Sequence, residues 1–288
     1  MANSRLGLRT RPGLIRGYTE GAAAIDADAR LFIDATGITN TTVITAINDL
    51  CVDLKAKGIW DLCYAIYPLV SGTADTHKWN LKDARDLDAA YRMVFSGGWT
   101  HGSTGATANG TTAYGDTKFN ISTNATGWAN DHHLAIYLRT QTPSTGDGWH
   151  IGVGDTSNGN PIYGMAIRRA SNNVNQRLYD MGNVIGGNGR LSDTTTDARG
   201  FYVATSIASN DRTLYRNGSA VLTGTSTVTG TPSNAALYLG SINPTAGSQF
   251  YLQGEFAFVS VGKGLTSTQV TDFNNLMTTF QTTLSRNV

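Results

Sequence analysis

The stretch TLYRNGSAV, Thr213 to Val221, decides the fold. Two runs that suit a strand flank Asn217-Gly218. A tight type I′ turn needs two residues that tolerate positive φ, and Asn-Gly is the favoured pair. The stretch therefore reads as a β-hairpin. Similar runs lie on either side of it. LAIYLRT places Leu134, Ile136 and Leu138 on one face, as the two-residue period of a strand requires. WHIGV, YGMAIRR, QRLYD, FYVATSIA, ALYLGSI and GEFAFVSVG continue the series, separated by turn-rich segments such as GDTSNGNP, NVIGGNG and PTAGS. Short strands at this spacing predict an antiparallel sandwich or barrel.

Composition agrees. Only 15% of the 288 residues are charged, and Glu20 and Glu255 are the only glutamates. Gly, Thr, Ser and Asn fill the gap, which favours strands and turns over helices. The stretch from Gly97 to Asn120 is built largely of these residues and opens the β-rich part, with TAYGDTKFNIS expected as an early strand pair.

The first quarter reads differently. DADARLFIDATG, Asp26 to Gly37, predicts a short helix stopped by its glycine. In NTTVITAINDLCVDLKAKG, Val43, Ile47, Leu50, Cys51 and Leu54 form one helical stripe, with Asn40 or Thr41 as the cap and Gly58 as the stop. IWDLCYAIYPLV, Ile59 to Val70, is expected as a second short apolar helix ending near Pro68. LKDARDLDAAYRMVF suits a charged helical turn leading into a strand. At the other end, Val270, Phe273, Leu276, Met277, Phe280 and Leu284 predict a final amphipathic helix capped by Thr266 or Ser267. The expected organisation is an extended arm over 1–25, a helical unit over 26–96, and a β-sandwich with its C-terminal helix over 97–288.

The net charge of +1 leaves no overall electrostatic footprint for nucleic acid. Arg5, Arg9, Arg11 and Arg16 all precede the first acid, Glu20. They read as a solvated terminus, as an arm that orders on a neighbouring protein or, least of the three, as a contact for nucleic acid. No stretch is apolar enough to span a membrane, and MANSRLGLRTRPG lacks the apolar run of a signal peptide. Cys51 and Cys63 are expected to be reduced, buried small hydrophobes.

Chemistry-bearing patterns are sparse. His132 and His133 are adjacent and point to opposite faces of a strand, so they make no metal pair. No zinc spacing occurs, and no cofactor is expected. Ser103, His101 and Asp116 lie close in sequence, but no nucleophile elbow accompanies them. A glycoside hydrolase needs two carboxylates flanking the bond. The two glutamates are far apart, and Asp26-Ala-Asp28 and Asp86-Leu-Asp88 fall in helical or loop segments. The loops GDGW and GDTSNGNP offer oxygens for calcium without the acid density of a known site. Gly186 to Gly189 reads as a turn. Trp99, Trp128 and Trp149 are the candidate glycan contacts, because an aromatic face stacks on a sugar, although in a sandwich such a residue more often serves the core or an interface.

Two resemblances add to this reading. Tyr215 to Gly218, then Leu239-Gly240, then Gly254 to Val261 leading into Leu265-Thr266, resemble the end of a laminin-G-like, concanavalin-A-like jelly roll. The likeness covers about residues 100–285. The front half, with its WNLKD block at Trp79–Asp83 and GGWTH block at Gly97–His101, together with the terminal FQTTLSRNV, resembles a family of virion structural proteins of tailed phages over most of the chain after the arm. It departs at Ala84, where the family pattern expects proline. This resemblance implies a non-enzymatic capsid or tail appendage, made in the host cytoplasm and carried on the virion. It further implies a homo-oligomer, with a trimer as the expectation, docked on other virion proteins through the arginine arm. The alternative is a carbohydrate-binding module directed at host surface glycans. Neither reading requires nucleic acid or a membrane.

Overall fold

The computed structural model describes residues 24–141, 147–154, 162–171, 174–183, 190–225, 231–244 and 249–288. The four arm arginines, the NVIGGNG turn beyond Asn183 and most of GDTSNGNP lie outside the described residues. The chain opens with α1 (Ala27–Thr36) and α2 (Thr41–Ala56). It continues through β1 (Cys63–Tyr67), α3 (Ala74–His77), β2 (Val94–Ser96), β3 (Trp99–Gly102), β4 (Gly105–Ala108), β5 (Tyr114–Asn120) and the single turn α4 (Ile121–Asn124). Then come β6 (His132–Leu138), β7 (Ile151–Val153), β8 (Ile162–Ser171), β9 (Val174–Asn183) and β10 (Arg190–Thr194). The last part holds β11 (Gly200–Ala208), β12 (Asp211–Arg216), β13 (Ser219–Gly224), β14 (Ala236–Leu239), β15 (Ile242–Asn243), β16 (Gly254–Gly262) and α5 (Ser267–Thr283).

The strands form two sheets. The first has the order β13-β12-β11-β6-β16-β4-β3, with β1 also on β16. The second has the order β10-β9-β8-β7-β14-β5-β2, with β15 also on β7. Among the described residues every strand pairing is antiparallel except the two-residue contact of β15 with β7. The decisive hairpin forms as read: Asn217 (φ 48°) and Gly218 (φ 77°) turn β12 into β13, pairing Arg216 with Ser219. The Asn217 side chain also accepts the Phe201 amide at 2.8 Å, tying the turn to β11.

Central strands are buried on both faces. All seven residues of β6 are buried. Leu134, Ile136 and Leu138 enter the core between the sheets, while Ala135 and Tyr137 face the helical layer. That layer consists of α1, α2 and α5 lying on the outer face of the first sheet. Phe273 of α5 packs edge-on against Phe201 and Phe258 at 5.0 and 5.8 Å. Its start carries a capping box between Thr266 and Gln269, and α2 is capped by Asn40.

Ile59 to Val70 is not a helix. One 3-10 turn, Trp60–Leu62, leads into β1, which pairs with β16. Ala65 and Tyr67 reach the core between the sheets, and Cys63 and Ile66 reach the helical layer. A strand buried on both faces reads as a continuous apolar run, so its period is hidden. Residues 26–96 consequently supply a strand to each sheet, β1 to the first and β2 to the second, and no purely helical unit ends at residue 96. TAYGDTKFNIS forms a single strand, β5, followed by the turn α4.

Candidate functional site

The outer face of the second sheet is partly roofed. Trp149, Ile242 and Leu252 form a small buried cluster there with Ile162, Ala166 and Leu178. The sheet under this roof is cut down to glycine. A Cβ on Gly164 would lie 2.6 Å from the Ile151 carbonyl and 3.0 Å from the Trp149 ring. Trp149 is 1% exposed, and the Arg169 guanidinium lies 5.6 Å from its ring centroid.

Trp128 and Trp149 are therefore corrected as glycan contacts. Trp149 lies under its roof. Trp128, also 1% exposed, stacks with His132 at 5.0 Å inside the core. Trp99 is half-buried among Phe95, His101 and Phe256, with centroids 5.1 to 6.2 Å away. An indole offers a large apolar area, and for Trp128 and Trp149 the core takes it.

Beside the roof the same face is open, and there the structure assembles aromatics that the sequence reading passed over. On β5, Gly115, Thr117 and Phe119 point inward, and Tyr114, Asp116, Lys118 and Asn120 point outward, half-exposed. Tyr238 of β14 sits across from Asp116. The Tyr114 and Tyr238 rings stack at 4.7 Å with 19° between their planes. Among the described residues neither phenol hydroxyl has a protein partner. Burial, then the carboxylate of Asp116, raises the Tyr238 hydroxyl above its ordinary pKa. Asp116 binds the Lys118 ammonium at 2.9 Å, and Asn120 donates to Asn234 at 2.8 Å.

Lys118 marks this place. Its φ is +58°, and the β5–β14 register slips between Ala236 and Tyr238. Two extra residues are thus bulged out of β5. Left-handed backbone at a non-glycine residue is costly, and bulges concentrate where a strand re-aims a side chain. The available sequence signal was the strict alternation of Tyr114, Asp116, Lys118 and Asn120. The partner ring, Tyr238, comes from a strand distant in sequence.

The other chemistry-bearing side chains are engaged with the fold. His101 Nδ1 lies 2.9 Å from His77 Nδ1, and His77 Nε2 accepts the Gly72 amide at 3.2 Å. His77 therefore donates and His101 accepts. Among the described residues no hydrogen bond joins His101 to Ser103. On the sheets, Asp116, Asp180, Asp193 and Glu255 are ion-paired with Lys118, Arg190, Arg177 and Arg139. Asp147 of the GDGW loop pairs with Arg169 at 3.6 Å. Among the described residues no three His, Cys, Asp or Glu gather as metal ligands, and no helix is long and apolar enough to cross a membrane.

No protein-family model matches the chain, and no curated protein matches it. Solved structures do. The binding domain of botulinum neurotoxin DC in complex with SialylT aligns at TM-score 0.51 and 12% identity, over 75% of this chain and 52% of that one. A receptor binding domain aligns at 0.51 and 11%, over 76% and 51%. The fold is a jelly-roll sandwich of two antiparallel sheets. A Trypanosoma rangeli sialidase with 2,3-difluorosialic acid aligns at 0.52 and 11%, over 82% of this chain and 39% of that one. At such identities the likeness is one of fold. The chain spans about half the length of the two binding domains and less of the sialidase.

Proposed function

We propose that this jelly roll is a non-enzymatic carbohydrate-binding module, with Tyr114 and Tyr238 as the sugar-contacting surface. The observation that carries the reading is the half-exposed, near-parallel tyrosine pair beside a strained Lys118. Two adjoining rings offer an apolar platform for the C–H face of a pyranose. Two phenol hydroxyls that have no partner among the described residues, with Asp116, Lys118 and Asn120 in the same row, supply hydrogen bonds. A few placed polar groups around an apolar surface are the usual make-up of a small-ligand site. Engagement of the sheet carboxylates in ion pairs supports binding over hydrolysis. That two fold neighbours are binding domains, one of them in complex with SialylT, supports it too.

A glycan array followed by calorimetry tests this. Tyr114→Ala or Tyr238→Ala should weaken a bound glycan about 10- to 100-fold, or roughly 1.4–2.8 kcal/mol. Tyr238→Phe should retain most of the affinity. Unchanged binding in both alanine variants would refute the assignment.

The resemblance to phage virion proteins supports a second reading, in which the module is carried on a tailed-phage particle and held by its arginine arm. The structure gives the WNLKD and GGWTH blocks a shared role as joints. Asn80 is buried, with its carbonyl accepting the Ile66 amide at 2.9 Å and its amide donating to the Ala90 carbonyl at 3.1 Å. Gly97 adopts φ +76°, where a Cβ would collide with the Thr112 carbonyl. His101 binds His77. Light scattering of the chain with and without residues 1–25 tests this reading. A stable trimer that survives arm removal, with particle attachment lost, is the expected result. A monomer in both forms that still attaches would refute it.

A further inference from the structure

A groove of about 520 Å³ runs between the helical layer and the rim of the sandwich, away from the tyrosine face. Its walls are the α1–α2 turn, the loop after β1, the β3–β4 turn and the end of α5. The volume falls within the roughly 300–1,000 Å³ of small-ligand sites.

Three features define what it could hold. First, among the described residues the lining contains no charged side chain. Thr39, Thr42, Ser71, Ser103 and Ser285 line it, and among the described residues none of their hydroxyls has a partner. Between them lie the half-buried apolar side chains of Val43 and Leu284, over a floor formed by the buried Ile38 and Val70. Second, Arg286, the cation next to Ser285, cannot serve an anion. It is 1% exposed, and its donors go to Gln281 Oε1 at 2.9 Å and to the carbonyls of Leu69, Pro68 and Ala257 at 2.9 to 3.3 Å. A charged ligand would enter without a counter-charge, at a heavy desolvation cost.

Third, the walls are braced from behind by buried polar groups. Arg286 ties the end of α5 to the loop after β1. The His77–His101 hydrogen bond ties α3 to the β3 strand, and His77 also holds the Gly72 amide. The two serines adjoining these braces, Ser71 (φ +72°) and Ser285 (φ +55°), sit in left-handed backbone. Bracing of this kind holds a site in one shape before a ligand arrives.

We propose that this groove is a preorganised site for an uncharged saccharide of a few units. Its serine and threonine hydroxyls would exchange hydrogen bonds with sugar hydroxyls, and the half-buried Val43 and Leu284 would take the C–H face. The inference is independent of the tyrosine face.

The test is titration of the ¹⁵N-labelled full chain with maltotriose, cellotriose and chitotriose, and with trigalacturonate as the charged counterpart. At least one neutral trisaccharide should shift the amides of Ser71, Ser103 and Ser285 together, and trigalacturonate should bind at least tenfold more weakly. Ser103→Trp and, as a second variant, Thr39→Trp should each weaken the neutral ligand at least tenfold by filling the groove. Tyr114→Ala should leave groove binding unchanged. Shifts confined to Tyr114, Tyr238 and their neighbours would overturn the groove proposal while leaving the tyrosine face standing. Equal binding of trigalacturonate, or no effect of either tryptophan, would also overturn it.

Discussion

Mild acid should unfold this protein well before its carboxylates protonate. His77, His132, His133 and His150 are each 3% exposed or less. Burial pushes His77, His132 and His150 down to about 3 and His133 to about 4. His150 Nδ1 accepts the Ile167 amide at 2.9 Å, and His77 Nε2 accepts the Gly72 amide. A proton on either nitrogen would face another N–H. In the unfolded chain each imidazole titrates near 6.5. The stabilisation from keeping them neutral is complete above that value, and it is lost as pH falls toward the folded values. At pH 5 each histidine costs about 2 kcal/mol, the price of 1.5 pH units below the unfolded value. The four together cost about 8 kcal/mol, against a total stability of roughly 5–15 kcal/mol for a folded domain. That figure is set by the unfolded value, because at pH 5 a folded pKa of 3 or 4 makes little difference. The assay is urea unfolding between pH 8 and 5. The slope should approach about 5 kcal/mol per pH unit, the uptake of four protons, and His150→Asn, which keeps an acceptor for Ile167, should remove about one of them. The carboxylate of Asp86, held below its usual value by Arg92 and then Lys78, enters only at lower pH. A urea midpoint that stays constant from pH 8 to 5, or an uptake below one proton, would refute the reasoning.

Three further outcomes follow from single places in the fold. Asn217→Val puts a branched side chain at φ +48° and removes the acceptor for the Phe201 amide; it should cost about 2–3 kcal/mol by urea unfolding. Gly97→Ala would bring a Cβ to 1.9 Å from the Thr112 carbonyl; about 3 kcal/mol or more should be lost in the same assay. Burial raises the Cys51 and Cys63 thiols to about 12 and about 11, so a thiol reagent at pH 8 should label neither faster than the chain unfolds.

Much of the sandwich was legible because its signals are local. Asn217-Gly218 announces a turn by its own backbone freedom, and Leu134, Ile136 and Leu138 announce a face by their period. The stripes of α2 and α5 did the same for helices. Elements buried on both sides were not legible. Cys63 to Tyr67 lies between two apolar layers and alternates with nothing polar. The burial of Trp149 depends on Gly164 below it and on Ile242 and Leu252 beside it, all brought from other parts of the chain. The tyrosine face was half legible. The outward row on β5 is written in the alternation of its residues, but Tyr238 reaches it only through the pairing of β14 with β5.

The low charge of the sequence now has a structural counterpart. Its histidines are built into cores and joints: His132 donates to Trp128 and accepts from Tyr179, His133 donates to Lys263 and accepts from Ser260, and His77 holds Gly72. Arg286 braces three carbonyls, and Asn80 braces β1. Polar groups engaged in this way keep their partners satisfied, because a buried group left unpaired costs more than the bond returns. What remains exposed at the two candidate surfaces is chiefly hydroxyl, amide and tyrosine, with Asp116 and Lys118 neutralising one another. Surfaces of that chemistry recognise neutral, hydroxyl-rich ligands by many weak contacts. Single substitutions on the tyrosine face should therefore lower affinity stepwise, and the acid sensitivity of the protein should appear as loss of the fold itself.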